Sequence, residues 1–542
     1  MKTRRLMPLG SLLPLLLLLG CAGSQERFKD RPIVWRVDDT RNIPPPDERE
    51  FFPLPFGSDV FIHGQLTRAL SLPDREPAWN TNALDEVPDS SWFTNRIGVR
   101  QVTPAEAAIG ASAAGPPTLP ITVLSAKSGG ANPGFFVKDA RDRKFIVKFD
   151  TKENPELQTS ASVIVNRVIW TLGYNVPNDD IFVFSRNQIQ LAPDAKLKDE
   201  YDNKRPMTGA DVDRALGEAP RLADGRYRAS SSEFLDGVPK GGFPARGVRD
   251  DDPNDLIPHQ HRREVRGMRV IGAWLNHTDM KEDNTLDMYV EEGGRHFLRH
   301  YFLDFGEALG GHPAEKNRHE DGFEYLWDWD AQPRALISLG LWQRPWEEVR
   351  DTPWLSVGPF GAKPFDPHTW HEAYPYWPFY ELDEADGFWG AKLVMRVDRP
   401  ILEAIVKRGQ LSDPEAAEYL VKTLLARREK VGRAYLEALS PLDDFHFERT
   451  PGGDAQLCAV DLGLVYRLAH SGVVEVLDSD DRVVAEHTVH ERGGVCLPVH
   501  GDGYQIRRLR VVRGRDVKPA MQVHFRLDGR PRVLGLIRKE HR

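Results

Sequence analysis

Cysteine is nearly absent: 542 residues carry three, Cys21, Cys458 and Cys496. No two of them stand at the spacing of a zinc ligand pair, which argues against a structural zinc site. Long apolar runs are missing beyond the first 20 residues. No later segment approaches about 18 consecutive apolar residues, so a polytopic helical membrane protein is excluded. A surplus of positive charge is lacking too, because 72 Lys and Arg face 81 Asp and Glu, a net charge of −9. General nucleic-acid binding needs a basic surface, so nucleic acid is not an expected partner. What remains is a chain of ordinary globular composition, long enough for two or three domains. Its 41 prolines and 13 tryptophans point to long ordered loops rather than disorder.

The single apolar run reads as an export signal. Lys2, Arg4 and Arg5 precede Leu6 to Leu19, a stretch interrupted by Pro8 and Pro14 and too short to span a bilayer comfortably. Leu18-Leu19-Gly20-Cys21 resembles a bacterial lipobox, which implies cleavage before Cys21, lipidation of that residue, and membrane contact through the lipid alone. Ala22 resembles the sorting position of lipoproteins passed on to the outer membrane. An uncleaved signal anchor is the alternative. Residues 1–21 are therefore expected to be a signal peptide and 22–50, charged and closed by Pro44-Pro45-Pro46, a tether. In such an oxidising compartment Cys458 and Cys496 can form one disulfide. Both sit in apolar stretches, so two buried free thiols stay open as the other reading.

Residues 51–119 carry Trp79 and Trp92 with little periodicity and are expected to wrap the domain that follows. From Pro120 a three-stranded meander is predicted. Ile121 to Leu124 leads to a loop with Gly129, Gly130 and Gly134, then Phe135 to Lys138, a turn, and Lys144 to Phe149. A helix follows over Pro155 to Gly173. Ile181 to Phe184 and Gln188 to Leu191 read as a hairpin, and Arg226 to Leu235 alternates like a strand. The run Asp250 to Asp255 lacks the Gly and distal Glu of a calcium loop and reads as a helix cap before the helix Arg262 to Leu275. Asp287 to Val290 and His296 to Leu303 form a hairpin. Helices resume at Asp383 to Met395, Arg399 to Arg408 and Pro414 to Leu439. Residues 441–542 break into short strands and predict a small antiparallel β-domain.

The densest chemistry lies between Asn276 and Gly310. His277-Thr278-Asp279-Met280-Lys281-Glu282-Asp283-Asn284 is followed by Leu303-Asp304-Phe305-Gly306. An Asp, an Asn five positions on and an Asp-Phe-Gly turn make the minimal set for phosphoryl transfer from Mg·ATP. The first Asp orients the acceptor oxygen; the Asn and the second Asp offer short, hard oxygen ligands suited to Mg²⁺ or Mn²⁺. The hairpin between them would carry Asn284 and Asp304 to one metal.

On these motifs, residues 120 to 440 resemble the atypical protein-kinase-like superfamily that includes phosphatidylinositol 3-kinase-like, HipA-like and CotH-like kinases. The resemblance implies an α+β, two-lobed kinase-like fold, with a β-rich N-lobe over 120–236 and a helical C-lobe over 237–440. The latter would hold a long insertion at 311–380 where kinases keep the activation segment. It implies ATP and a divalent metal as cofactors, and an unknown protein or small molecule as acceptor. Asp279 and Lys148 would be catalytic, Lys148 also pairing the phosphates; Glu156, or else Glu153, would partner Lys148, Gly129 and Gly130 would border the nucleotide, and Asn284 and Asp304 would hold metal. The Gly-x-Gly-x-x-Gly loop and Ala-Pro-Glu are missing, and Lys281 stands where lipid-kinase-like enzymes keep His. Two rival readings follow from other features. An exported chain meets little ATP, which fits a catalytically inactive scaffold or ligand-binding envelope lipoprotein. The spacings His259-x-His261 and His368-x-x-His371, together with His277, allow a metal-dependent hydrolase.

Overall fold

The computed structural model describes residues 26–70, 76–127, 132–198, 203–312 and 318–539. Cys21, Gly129 and Gly130 lie outside the described residues. The protein is a mixed α+β structure built on one large sheet, a helical layer and a C-terminal pair of sheets.

The large sheet begins with β1 (Ile121–Ala126), β2 (Gly134–Lys138) and β3 (Lys144–Lys148), an antiparallel meander. Ile121, Val123, Phe135, Val137, Phe145 and Val147 alternate onto one face and form its core. Helix α4 (Leu157–Leu172) follows; it and the earlier short helices α1 (Pro53–Ser58), α2 (Gly64–Leu70) and α3 (Pro104–Ile109) are numbered in chain order. Next come β4 (Asp179–Phe184), β5 (Ile189–Lys198), β6 (Lys204–Pro206), α5 (Gly209–Glu218) and β7 (Tyr227–Glu233), in the strand order β4-β7-β3-β2-β1-β5-β6.

The expected hairpin between 181 and 191 is not formed. β4 pairs with β7, whereas β5 runs parallel to β1, five strand spacings away. A flat sheet would hold these strands about 24 Å apart. The chain from Phe184 to Ile189 reaches at most about 18 Å. The sheet must therefore curl, and Phe182, Phe184, Ile189, Val212 and Leu216 meet in the enclosed core.

Helix α4 is buried almost throughout, packed between this sheet and the helices beyond. Those are α6 (Arg263–Leu275), α9 (Glu384–Met395), α10 (Arg399–Arg408) and α11 (Pro414–Tyr435), with two small helices between, α7 (Ala331–Ile337) and α8 (Trp377–Tyr380). Trp274, Trp370 and Trp389 fill their core, and Trp274 Nε1 donates to Leu424 O at 2.9 Å. β8 (Val238–Pro239), β9 (Thr285–Glu292) and β10 (Arg295–Phe302) make a second, three-stranded sheet.

The segment expected to be a free tether lies on this body from its first described residues. Phe28 is buried against His524 (ring centroids 4.9 Å), Ile43 N donates to His296 O (2.9 Å), and Arg49 N donates to Lys240 O (3.0 Å). The wrapping segment contributes core as well as cover: Trp92 is buried between the His300 ring at 3.7 Å and the Arg262 guanidinium at 4.4 Å.

The C-terminal part stacks the sheet β11-β12-β15 on the sheet β14-β13-β16-β18-β19, around Leu457, Val474, Leu509, Val523 and Phe525. Their ranges are β11 Leu442–Arg449, β12 Ala455–Asp461, β13 Val473–Leu477, β14 Val483–Thr488, β15 Gly494–Pro498, β16 Tyr504–Arg513, β18 Met521–Arg526 and β19 Arg532–Ile537; helix α12 (Leu462–Val465) and strand β17 (Asp516–Val517) are short additions. Cys458 and Cys496 face each other across β12 and β15 and are joined in a disulfide. A buried ionic chain ties these sheets to the helices. Arg538 donates to Asp443 (2.6 Å) and Asp85 (3.0 Å), Asp85 pairs with Arg263 (2.6 Å), and Lys392 of α9 holds Glu86 and Asp443.

Candidate functional site

Helix α6 ends at Asn276, which takes the left-handed conformation (φ 51°) that asparagine tolerates better than most residues. Its Oδ1 accepts from Trp370 Nε1 at 3.0 Å, fixing the turn that releases residues 277 to 284 as a loop. Buried Met280 anchors that loop to the core. Within it, Asp279 is 6 % exposed and its carboxylate is held from two sides. Lys281 Nζ lies 2.8 and 3.0 Å from its two oxygens, and Asn284 Nδ2 donates to Oδ2 at 2.7 Å. Burial lowers the Lys281 pKa, but the Asp279 charge outweighs it and holds the ammonium above the ordinary lysine value.

The β9–β10 hairpin then returns the chain. Thr285 opposes Phe302, and Leu303 N donates to Asn284 O at 2.9 Å. Asn284 and Asp304 are thereby fastened at the open end of one hairpin. The Asn284 amide nitrogen is committed to Asp279, so Oδ1 is the atom it can offer a cation. Asp304 adopts φ 55°, and its Oδ2 accepts from Lys148 Nζ at 2.8 Å across the gap between the large sheet and the hairpin. Its side chain is 48 % exposed. Burial pushes its carboxyl up; the Lys148 ammonium, aided by Lys127 and Lys281, outweighs this and holds it below the usual carboxylate range. An ionised carboxylate, an amide oxygen and an adjacent anionic Asp are the hard donors that Mg²⁺ or Mn²⁺ takes, so these residues fit such an ion.

Glu156 does not partner Lys148. It stands in the left-handed region (φ 66°) just before α4, and its Oε2 accepts from Ser412 N (2.8 Å) and Oγ (3.1 Å). The cause is Asp150, whose carboxylate accepts from the amides of Glu156, Gln158 and Thr159 at 2.9–3.0 Å. That cap satisfies the orphan donors of the first turn, and the buried Glu156 carboxylate is directed at Ser412. Gln158 is the α4 residue beside the Asp-Phe-Gly turn; a Cβ on Gly306 would stand 3.7 Å from its Cβ.

Two participants were not apparent from the sequence. Glu307 follows the turn, and its carbonyl accepts from His277 Nδ1 (3.2 Å) and Thr278 N (3.3 Å), locking the two motifs together. Burial first, then the charges of Asp279, Asp304 and Asp321, raise its carboxyl to about 8 against the pull of Lys281. Tyr374 lies under Lys281, with Nζ 5.4 Å from the ring centroid. His277 is buried and held neutral, its pKa lowered chiefly by that burial.

The histidines of the hydrolase reading are dispersed among structural roles. His259 Nε2 is 2.7 Å from Asp255, His261 stacks on Trp79, His368 packs on Tyr435 and His371 on Tyr325. Carboxylates of the Asp250 to Asp255 run are spent on local donors: Asp251 accepts from Arg249 and Asp47 N, Asp252 from Asn254 N, and Asp255 from Arg249 N, His259 and Arg262. A cleft of about 780 Å³ is lined by Arg31, Trp79, Asp85, Leu256 and Arg538 and does not include the Asp279–Asp304 cluster.

No protein-family model and no curated protein matches the chain. Among solved structures it is similar to the Golgi casein kinase with Mn/ADP bound, at 12 % identity and a TM-score of 0.28, over 63 % of this chain and 79 % of that one. A second structure of the Golgi casein kinase aligns at 12 % identity and the same TM-score of 0.28, over 58 % of this chain and 71 % of the other.

Proposed function

We propose that this protein is an envelope-anchored, kinase-like phosphotransferase, using ATP with Mg²⁺ or Mn²⁺ to phosphorylate a protein or small-molecule acceptor. The observation that carries this reading is one continuous set of contacts: Lys148 to Asp304, Asp304 through Leu303 to Asn284, and Asn284 to Asp279. It unites, from two separate sheets and a loop, the groups that phosphoryl transfer requires. In this reading residues 120–236 and 237–440 act as the two lobes. A divalent ion held by Asn284 and Asp304 would neutralise charge on the phosphates. Lys148 binds a phosphate once its pairing with Asp304 loosens. Asp279 orients the acceptor hydroxyl and takes its proton, while Lys281, bound to both of its oxygens, holds that carboxylate in place. Buried, neutral His277 and the Glu307 carbonyl fix the spacing of the two motifs.

A scaffold or ligand-binding role without catalysis is the second reading, favoured by the export signal and by the grip of Lys281 on the carboxylate that must accept the proton. Thermal stabilisation by Mg·ATP, followed by transfer of the labelled γ-phosphoryl group to added envelope extract, separates the two. Stabilisation without transfer supports the scaffold, and neither effect removes the nucleotide from the reading. Anchoring through Cys21 is part of the same proposal; Cys21→Ser should leave the membrane fraction, and normal membrane association of that variant would remove the lipid.

A further inference from the structure

The cleft of about 780 Å³ is separate from the Asp279–Asp304 cluster and is walled by residues from 27–41, 77–90 and 254–263, the start of α9 and the end of β19. Its carboxylates are committed. Asp85 serves Arg263 and Arg538, Asp39 accepts from Ser91 N and Oγ, Asp383 caps α9 through Asp386 N, and Glu384 pairs with Lys539. Asp38 at the rim lies 3.3 Å from Arg295.

Several of its donors are not. Arg262 is 4 % exposed; its Nη2 donates to Asp255 at 2.9 Å and its guanidinium lies on Trp92, yet Nε has no acceptor. Asn82 commits its Oδ1 to the amides of Leu84 (2.9 Å) and Glu86 (3.1 Å), and its buried Nδ2 has no acceptor either. Arg31 on the rim is exposed and makes no ion pair among the described residues. Nearly all buried N–H groups in folded proteins find an acceptor, so two orphans lining one cleft mark a place for oxygen. With the carboxylates occupied and donors to spare, that oxygen is favoured as an anion.

The apolar side of the cleft narrows the class further. Trp79 N donates to His261 O at 2.9 Å, and its indole stacks on the His261 ring with centroids 4.4 Å apart and 8° between the planes. One face is thus covered, while the residue remains 53 % exposed. An aromatic ring already fixed in place loses little freedom when a flat partner covers its open face. Leu256, 71 % exposed, extends this wall. Arginine alone would take any anion; the fixed indole favours one carried on a ring, and the cleft has the volume for such a ligand.

We propose that this cleft is a second ligand site, for a carboxylate carried on a ring with a flat apolar face. The ring lies on Trp79, the carboxylate takes the free donors of Arg262 and Asn82, and Arg31 adds charge at the rim. A uronic sugar and an aryl acid share that chemistry. The site stands or falls independently of the nucleotide reading. The test is calorimetric titration of the full-length protein, as wild type, Trp79→Ala and Asn82→Asp, with glucuronate and phenylacetate and with their neutral counterparts, glucose and phenylacetamide. Asn82→Asp keeps the turn at Leu84 and Glu86 but exchanges a donor for a negative charge. At least one acid should bind about tenfold or more tightly than its neutral counterpart, and each variant should weaken that acid by about tenfold or more while melting with wild type. Binding of glucuronate alone assigns the site to acidic sugars, and of phenylacetate alone to aryl acids. Binding of neither acid at millimolar concentration, equal binding of acid and neutral counterpart, or undiminished binding by either variant overturns the proposal.

Discussion

Lys148 Nζ lies 2.8 Å from Asp304 Oδ2, and this contact joins the third strand of the large sheet to a turn 156 residues further along the chain. It is an ion pair between the large sheet and the turn that follows β10 of a different sheet.

Each partner is expected to be required for nucleotide binding. Wild type at a nucleotide concentration 100 times the dissociation constant should be stabilised by about 2.7 kcal/mol. Lys148→Met loses the phosphate contact and Asp304→Asn the metal charge, so both should melt at the same temperature with and without Mg·ATP. A full shift in either variant would take that residue out of the site.

Asp279 is expected to matter for turnover more than for binding, because a proton acceptor contributes mainly as the acceptor oxygen attacks. Asp279→Asn should bind Mg·ATP nearly as wild type does and transfer phosphate at least about 10²-fold more slowly. If Asp279 only braces the loop, the variant will melt lower while its folded fraction keeps full activity. Melting temperature and specific activity from one preparation separate these outcomes.

Glu307 predicts a pH dependence with a definite sign. Its folded carboxyl titrates at about 8, whereas an unfolded Glu titrates near 4.3. Between those values the folded state holds a proton that the unfolded state releases, so the Glu307 contribution to stability is lost as pH rises. Glu307→Gln stays neutral throughout. In chelator-containing buffer it should melt with wild type near pH 4.5 and above it near pH 8.5. Parallel melting curves across that range would exclude the linkage.

The disulfide closes a segment of 38 residues, and loop-closure entropy for that length corresponds to about 3–4 kcal/mol. Cys458→Ser with Cys496→Ser should destabilise the β-sandwich on that scale and leave any nucleotide affinity of the folded fraction unchanged. Equal urea midpoints for the reduced and oxidised protein would contradict this.

Much of the site was legible because its residues are close in sequence. The hairpin between Asn284 and Asp304 is a local structure, and its alternating pattern reports both strands. The β1–β3 meander and helix α4 were readable for the same reason. What failed was non-local. Alternation marks 181–184 and 189–191 as strands, but the curl that sends them to different neighbours depends on the whole sheet. Glu156 was assigned to Lys148 by its place at a helix start; only the fold brings Ser412 within 2.8 Å. Glu307 and Tyr374 carry no motif, and their places at the site arise from what surrounds them. The helical span from Pro53 to Leu70 was missed because its exposed faces, with Leu54 87 % and Leu70 84 % accessible, give no clear apolar stripe.

The ionic chain from Arg538 through Asp443 and Asp85 to Arg263 has a bearing on how the molecule matures. Asp85 and Asp443 are made before Arg538, and until it arrives each holds buried or half-buried charge with one partner missing. Losing one member of a buried pair costs about 3–5 kcal/mol, a large share of a domain's stability. The helical layer is thus left waiting during synthesis, and completes its packing when Arg538, just past β19, docks. A chain cut at residue 440 would be arrested in that waiting state.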